Sequence, residues 1–173
     1  MQQSGDEQVA IIDRTGRVVG SAPRSMMRRD NLPHLVVGVL VRDPAGRVYV
    51  HRRTETKDVY PGLHDCFAAG AVRYGEPPAV AAERELGEEL GVTGVPLEAL
   101  ETVTYRDDST DQVTHVFTTV WDGPVTHQVE EVAWGTWMTV DELRAKLADA
   151  TWPFVPDGRM LVTRLLDDGR LTG

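Results

Sequence analysis

Between Gly70 and Val92 the chain reads Gly-Ala-Val-Arg-Tyr-Gly-Glu-Pro-Pro-Ala-Val-Ala-Ala-Glu-Arg-Glu-Leu-Gly-Glu-Glu-Leu-Gly-Val, and no other stretch constrains the fold as strongly. Pro77 and Pro78 suit a first helical turn, where amides lack intrahelical acceptors, and Gly91 suits a stop. Ala79, Ala82, Leu86 and Leu90 recur at helical spacing, which predicts a helix over residues 78–90. Upstream, a strand from about Leu63 to Val72 leads into it through a short polar loop. A strand, a loop and a helix are thus compressed into one segment.

On that helix, residues three and four apart share a face, so Glu85, Glu88 and Glu89 project together while Leu86 and Leu90 turn toward the core. Three carboxylates without an equal number of cations repel one another unless a cation intervenes. Mg²⁺ takes hard oxygen ligands and leaves positions for water and phosphate oxygens. By spacing alone, the same acids describe a solvated helix face equally well.

The rest of the chain supplies strands and further helices. Gln8 to Asp13 and Arg17 to Gly20 read as strands around a turn at Arg14-Thr15-Gly16, and Ser25 to Asp30 as one or two helical turns. His34 to Arg42 and Arg47 to Arg52 form a second predicted hairpin around Asp43-Pro44-Ala45-Gly46. Thr54 to Gly62 reads as a loop. Leu97 to Tyr105, Val113 to Trp121 and Val132 to Val140 read as strands, and Asp141 to Leu147 and Gly158 to Leu166 as helices. Interleaved strands and helices imply an α/β fold with a mixed sheet covered by helices.

With 173 residues, of which 41% are hydrophobic, the chain suffices for one well-buried core. Residues 1–7 are expected to form a disordered tail and 8–173 a single domain. A net charge of −9 argues against a nucleic-acid polymer as partner. No apolar run approaches the ~18 residues needed to cross a bilayer, so no membrane is expected. Cys66 is the single cysteine. It fits a reducing compartment, with the cytoplasm as the default location. A homodimer is compatible with all of this.

Position for position, the Gly70 segment resembles the signature of the Nudix hydrolase superfamily. That pattern is Gly, five residues, Glu, seven residues, Arg-Glu, an aliphatic, one residue, Glu-Glu, one residue, Gly and an aliphatic. From average composition, a chance match in such a chain is on the order of one in ten million. The resemblance implies a Nudix-like α/β/α sandwich and hydrolysis of a diphosphate linkage in a small molecule, with Mg²⁺ as cofactor and Mn²⁺ as its substitute. Residue by residue, it implies that Glu85, Glu88 and Glu89 bind metal and that the Gly70 carbonyl lies near it. Arg84 would orient Glu85 by a charge-assisted hydrogen bond, and Glu76 would support the loop or a metal-bound water. Gly87, at a free position, costs about 1 kcal/mol relative to alanine and is assigned only close packing.

A general base is still required, and it is either a helix glutamate or a carboxylate of a later loop. Glu131, beside Glu130, is the loop candidate. It precedes Val132-Ala-Trp-Gly-Thr-Trp-Met-Thr-Val-Asp-Glu-Leu, which resembles the C-terminal Nudix pattern.

Resemblance also extends, from about residue 8 to 168, to the isopentenyl-diphosphate-isomerase-like branch, carried by His51 to Asp65. It makes Arg52, Arg53 and Lys57 candidates for substrate phosphate contacts, with salt bridges to Glu55 and Asp58 as the alternative. True isomerases of this type place a cysteine where this chain has Ala69 and a metal-binding histidine where it has Ala71, although His34 matches their strand histidine. Cys66 is a poor substitute for that cysteine. Hydrolysis is therefore preferred over isomerisation and over a non-catalytic metabolite-binding module. His64 is a candidate pocket residue, and His51, His115 and His127 carry no motif. Trp134, Trp137 and Trp152, in or near predicted strands, are expected in the core.

Overall fold

The computed structural model describes residues 7–173. The expectation of a disordered tail therefore falls outside the described residues except at Glu7. The Glu7 carbonyl accepts the Arg24 amide at 2.8 Å and its carboxylate pairs with Arg73. Among the described residues nine strands are hydrogen-bonded in a mixed sheet accompanied by helices, so the chain has the expected α/β class. Among the described residues no helix is long and apolar enough to cross a membrane.

Contacts divide the chain into two compact units. One comprises the described residues up to Gly38, Ala69–Glu85 and Leu97–Phe117. It opens with the hairpin β1 (Gln8–Ile12) and β2 (Val18–Pro23), whose turn is tied by the Asp13 carboxylate to the amides of Thr15 and Arg17. Helix α1 (Arg24–Arg29) follows, and Met27 packs with Val9 and Ala71 in a small apolar cluster. The first half of β3 (His34–Arg42) pairs with β1 at Ile11 and His34. The end of the strand leading to the acidic helix is pinned alongside, because the Val72 amide donates to Leu35 and its carbonyl accepts from Ala10, both at 2.9 Å. Strands β7 (Glu98–Arg106) and β8 (Asp111–Val120) pair with each other.

The second unit comprises Val39–Ala68, Leu86–Pro96 and Thr118–Gly173. At its centre is β4, completing the element set on this side with β5 (His64–Asp65), β6 (Phe67–Ala71) and β9 (Val132–Met138); β4 itself spans Val48–Arg53. It pairs antiparallel with β5 through His51–Asp65 and Arg52–His64, and with β9 from Val48–Met138 to Arg53–Val132. Helix α3 (Val140–Ala148) starts with a capping box between Thr139 and Glu142, and α4 (Pro156–Asp167) starts at a proline.

Residues 63–72 do not form the single strand expected. The Asp65 carboxylate accepts the amides of Cys66 and Phe67 at 2.7 and 3.1 Å, taking donors that a continuous strand would offer its neighbour. The Asp65 side chain is itself buried, and Gly158 lacks the Cβ that would meet its Oδ1 at 2.8 Å. Cys66 is core, as a free cysteine usually is, and burial pushes its thiol pKa well up. The tryptophans depart from expectation: Trp134 is 48% exposed and Trp137 and Trp152 are half-buried.

Candidate active site

Helix α2 (Pro78–Leu90) has the predicted bounds, and Gly91, at φ 66°, ends it. Its inward stripe runs through the pairs 81/82, 85/86 and 89/90, so Ala79 faces solvent. Consequently two of the three glutamates are not on an outer face: Glu85 and Glu89 are 8% and 4% exposed, while Glu88 is open to solvent. Two carboxylates one turn apart in the buried stripe are costly without compensating charge. Gly87 packs as expected, since a Cβ there would approach Thr93 to 3.2 Å.

Around Glu85 the compensation is visible. Arg84 donates from Nη1 to Glu85 Oε1 at 2.5 Å, and from Nε and Nη2 to the two oxygens of Glu76 at 2.8 and 2.9 Å. Its Nη2 also reaches the Ala71 carbonyl at 3.3 Å. One guanidinium therefore ties the helix to the loop and to the strand end, using the fork geometry that lysine lacks. These bonds, that to Glu76 first, raise the Arg84 pKa. Burial works to raise the Glu76 pKa, but hydrogen bonds from Arg84 and the Arg73 amide, with both arginine charges, leave it lowered. Glu76 thus takes the loop-supporting role. Gly70 completes the cluster, because a Cβ on residue 70 would fall inside the Glu85 carboxylate.

The cation implied by the signature has a suitable donor set here. Glutamate carboxylates and a glycine carbonyl are hard oxygen ligands of the kind Mg²⁺ prefers. The missing Cβ at Gly70 leaves that backbone open to the Glu85 oxygens. Among the described residues, no three His, Cys, Asp or Glu side chains are gathered closely enough to hold a metal ion.

Glu131 lies in the segment between β8 and β9 and forms an ion pair with Lys57, whose side chain is 9% exposed against 30% for Glu131. Thr54 fastens the same place, its amide to the Glu131 carbonyl at 3.1 Å and its hydroxyl to the Glu130 carbonyl at 2.9 Å. The three basic candidates separate. Lys57 meets Glu131, whereas Arg52 binds the Gly62 carbonyl at 2.9 Å and pairs with Glu55. Arg53 reaches the Val59 carbonyl at 2.8 Å. Successive strand residues point to opposite faces, so Arg52 and Arg53 diverge. Arg52 lines up with His64 and Trp134 across three strands, while Arg53 shares its face with His51 and Tyr49.

The histidines without a motif prove informative. His51 is buried, its Nδ1 has no hydrogen-bond partner among the described residues, and desolvation holds its pKa at about 3, so it stays neutral. His34 is also buried; desolvation, the largest influence, lowers its pKa to about 4, and its Nδ1 lies 2.9 Å from the Leu32 carbonyl. His64 contacts Trp134 edge-on and Trp152 at a tilt. His127 is hydrogen-bonded to Tyr49, a pairing with no signal in the sequence because the partners are 78 positions apart.

Comparison with known proteins agrees with this geometry. The NUDIX domain model matches residues 32–158. The uncharacterised Nudix hydrolase orf19 of Rhodococcus erythropolis is 47% identical over 167 residues, covering 91% of this chain and 90% of that protein. The uncharacterised Nudix hydrolase YfcD of Escherichia coli is 35% identical over 151 residues, covering 87% and 82%. Among solved structures, DR0079 from Deinococcus radiodurans superposes with a TM-score of 0.79 at 25% identity, covering 91% of this chain and 98% of that one. With the signature intact on α2 and the relatives matched over most of their length, the chain belongs to the Nudix family and is a Nudix hydrolase.

Proposed function

We propose that the protein hydrolyses a diphosphate linkage in a nucleoside diphosphate derivative or a related organic diphosphate, by attack of water on phosphorus. The observation that carries this reading is the buried net in which Arg84 holds both Glu85 and Glu76 while Gly70 leaves room for the Glu85 carboxylate. Glu85, Glu88 and Glu89, with the Gly70 carbonyl, would hold Mg²⁺ or, in its place, Mn²⁺. When bound, the cation would neutralise phosphate charge and lower the pKa of a water.

The chain's own groups do the rest. Arg84 keeps Glu85 aimed by a charge-assisted bond. Glu131, the carboxylate just before β9, is assigned to take the proton of the attacking water. Lys57, beside Glu131, and Arg53, on the Tyr49 face, are assigned to the substrate phosphates, and Arg52 contributes less because it is turned to Gly62 and Glu55. Ala69 and Ala71 offer no proton donor or metal ligand where an isomerase needs them, which favours hydrolysis. A reducing cytoplasm suits a chain whose single cysteine is buried.

The test is a panel of nucleoside diphosphate derivatives, dinucleotides and isoprenoid diphosphates with Mg²⁺, with and without Glu89→Gln. Hydrolysis should occur on at least one class and collapse in the variant. Undiminished hydrolysis in Glu89→Gln would sink the site assignment. Binding without turnover across the panel would favour a metabolite-binding module, and double-bond migration without phosphate release an isomerase. Water labelled with ¹⁸O then identifies the phosphorus attacked.

A further inference from the structure

The Tyr49 hydroxyl lies 2.6 Å from Nε2 of His127. Tyr49 is only 5% exposed on β4, and its ring stands edge-on to Trp137 at 5.0 Å between centroids. Opposite Tyr49 on β9 is Trp137, and two residues earlier on that strand Gly135, the partner of His51, stands where a Cβ would collide with the hydroxyl. A pocket has been cleared on a strand, at the cost that glycine brings to strands, for one phenol oxygen. Burial raises the Tyr49 pKa and lowers that of His127. At neutral pH the phenol therefore keeps its proton and the imidazole is neutral, so the bond joins two uncharged groups.

His127 sits in the segment 126–131, which has no helix or strand pairing of its own. Its amides are spent on the last turn of α2: Thr126 donates to the Leu90 carbonyl at 3.0 Å and Gln128 to the Glu89 carbonyl at 3.1 Å. Those carbonyls are among the helix-end acceptors that lack intrahelical partners. The Gln128 carbonyl in turn accepts the amides of Glu131 and Val132 at 2.9 and 2.8 Å. The segment is thus fastened to α2 at one end and to Lys57 and Thr54 at the other. The Tyr49–His127 bond adds a side-chain tie to the sheet at the α2-fastened end, between Thr126 and Gln128.

We infer that Tyr49 and His127 are positioning residues, whose hydrogen bond holds the 126–131 segment so that the Glu131 carboxylate stays beside Lys57 in register with the water to be activated. The inference rests on Glu131 as the proton acceptor. Neither side chain needs to touch substrate. Without their bond the segment keeps its backbone bonds to α2 and to Thr54 but loses its side-chain tie to β4. A misplacement of about 1 Å at a reacting group can cost ~10²-fold in rate.

The experiment compares Tyr49→Phe, His127→Leu, His127→Gln and the double variant Tyr49→Phe/His127→Leu with Glu131→Gln. It uses steady-state hydrolysis and amide hydrogen exchange of the intact protein. Phe keeps the ring packing on Trp137, and Gln keeps an acceptor near the position of Nε2. Tyr49→Phe and His127→Leu should each lower kcat about tenfold with KM within about twofold, and the double variant should be no worse than either, as expected for partners in one bond. His127→Gln should recover most of the rate. Exchange at the Gln128 and Glu131 amides should quicken in the two disrupting variants while the core amides of β4 stay protected.

Unchanged kcat in Tyr49→Phe and His127→Leu, with activity lost in Glu131→Gln, would overturn the inference and leave the assignment of Glu131 intact. Full activity in Glu131→Gln would instead remove the base assignment and with it the inferred catalytic role of the pair. Unaltered exchange at Gln128 and Glu131 would overturn the positioning role whatever the rates.

Discussion

Arg84 and Glu131 each stand in a net of charged hydrogen bonds, yet the two nets are made from different spans of chain. Around Arg84 the partners are 1, 8 and 13 positions away. Around the Glu131 segment they are 74, 76 and 78 positions away. The first closes once a strand end, a loop and a helix have formed locally. The second requires β4, the loop after it and the segment before β9 to be brought together. Closing longer loops costs more entropy, though only slowly with length, so the larger difference is in redundancy. One guanidinium makes four of the bonds of the first net, beside that of the Arg73 amide to Glu76. The second is distributed over Lys57, Thr54, Tyr49 and two carbonyls of α2, and should loosen by degrees.

Four changes would break or sharpen this contrast. Glu85→Gln removes the charge that the first net exists to aim. Loss of a metal-held carboxylate should cost several kcal/mol of transition-state stabilisation, about a thousandfold in kcat/KM. A drop below about tenfold would show that the Arg84 net is structural only.

Asp65, in the second unit, is tested by pH. Burial first and Asp157 second push its pKa up to about 7, against the pull of Arg53 and of the Phe67 and Cys66 amides. Its folded pKa thus lies above the ordinary 3.8, so its contribution to stability is complete below about pH 4 and is lost as pH rises through about 7. At about 1.4 kcal/mol per pH unit, the swing is at most ~4 kcal/mol. Urea melts from pH 4 to 8 should show wild type losing stability across that window and Asp65→Asn, which keeps an acceptor for the two amides, losing much less. Parallel curves would mean that Asp65 is ionised throughout.

Arg84→Lys keeps the charge and loses the fork. Outer partners of metal ligands typically matter by about 10–100-fold in activity or metal affinity, and a loss in that range is expected in both, measured by kinetics and by metal titration. Arg52→Gln is the smallest change. Its salt bridge to Glu55 is largely exposed, so stability should shift by less than about 1 kcal/mol and kcat/KM by less than about threefold. A tenfold rise in KM would return Arg52 to the phosphate contacts and show that the two faces of β4 are not functionally distinct.

The same two nets show how far residue spacing reaches. The bounds of α2, the Arg84–Glu85 pair and the long strand β3 followed from periodicity and a contiguous motif, because every partner lies within a few turns of chain. Spacing also placed Glu85, Glu88 and Glu89 on adjacent turns, but it did not separate the buried Glu85 and Glu89 from the exposed Glu88. That depends on which side of the helix is packed. The break at Cys66 was equally hidden, since it depends on where the Asp65 side chain turns.

By itself, then, the sequence determined the family, the α/β class and the carboxylates available to a cation, since these depend on local periodicity and on a motif whose chemistry is contained in one segment. Only the tertiary structure decided that Lys57 meets Glu131 and that Tyr49 anchors His127. Those pairings follow from strand register and chain reversal over more than 70 residues, and no local preference of either partner encodes them.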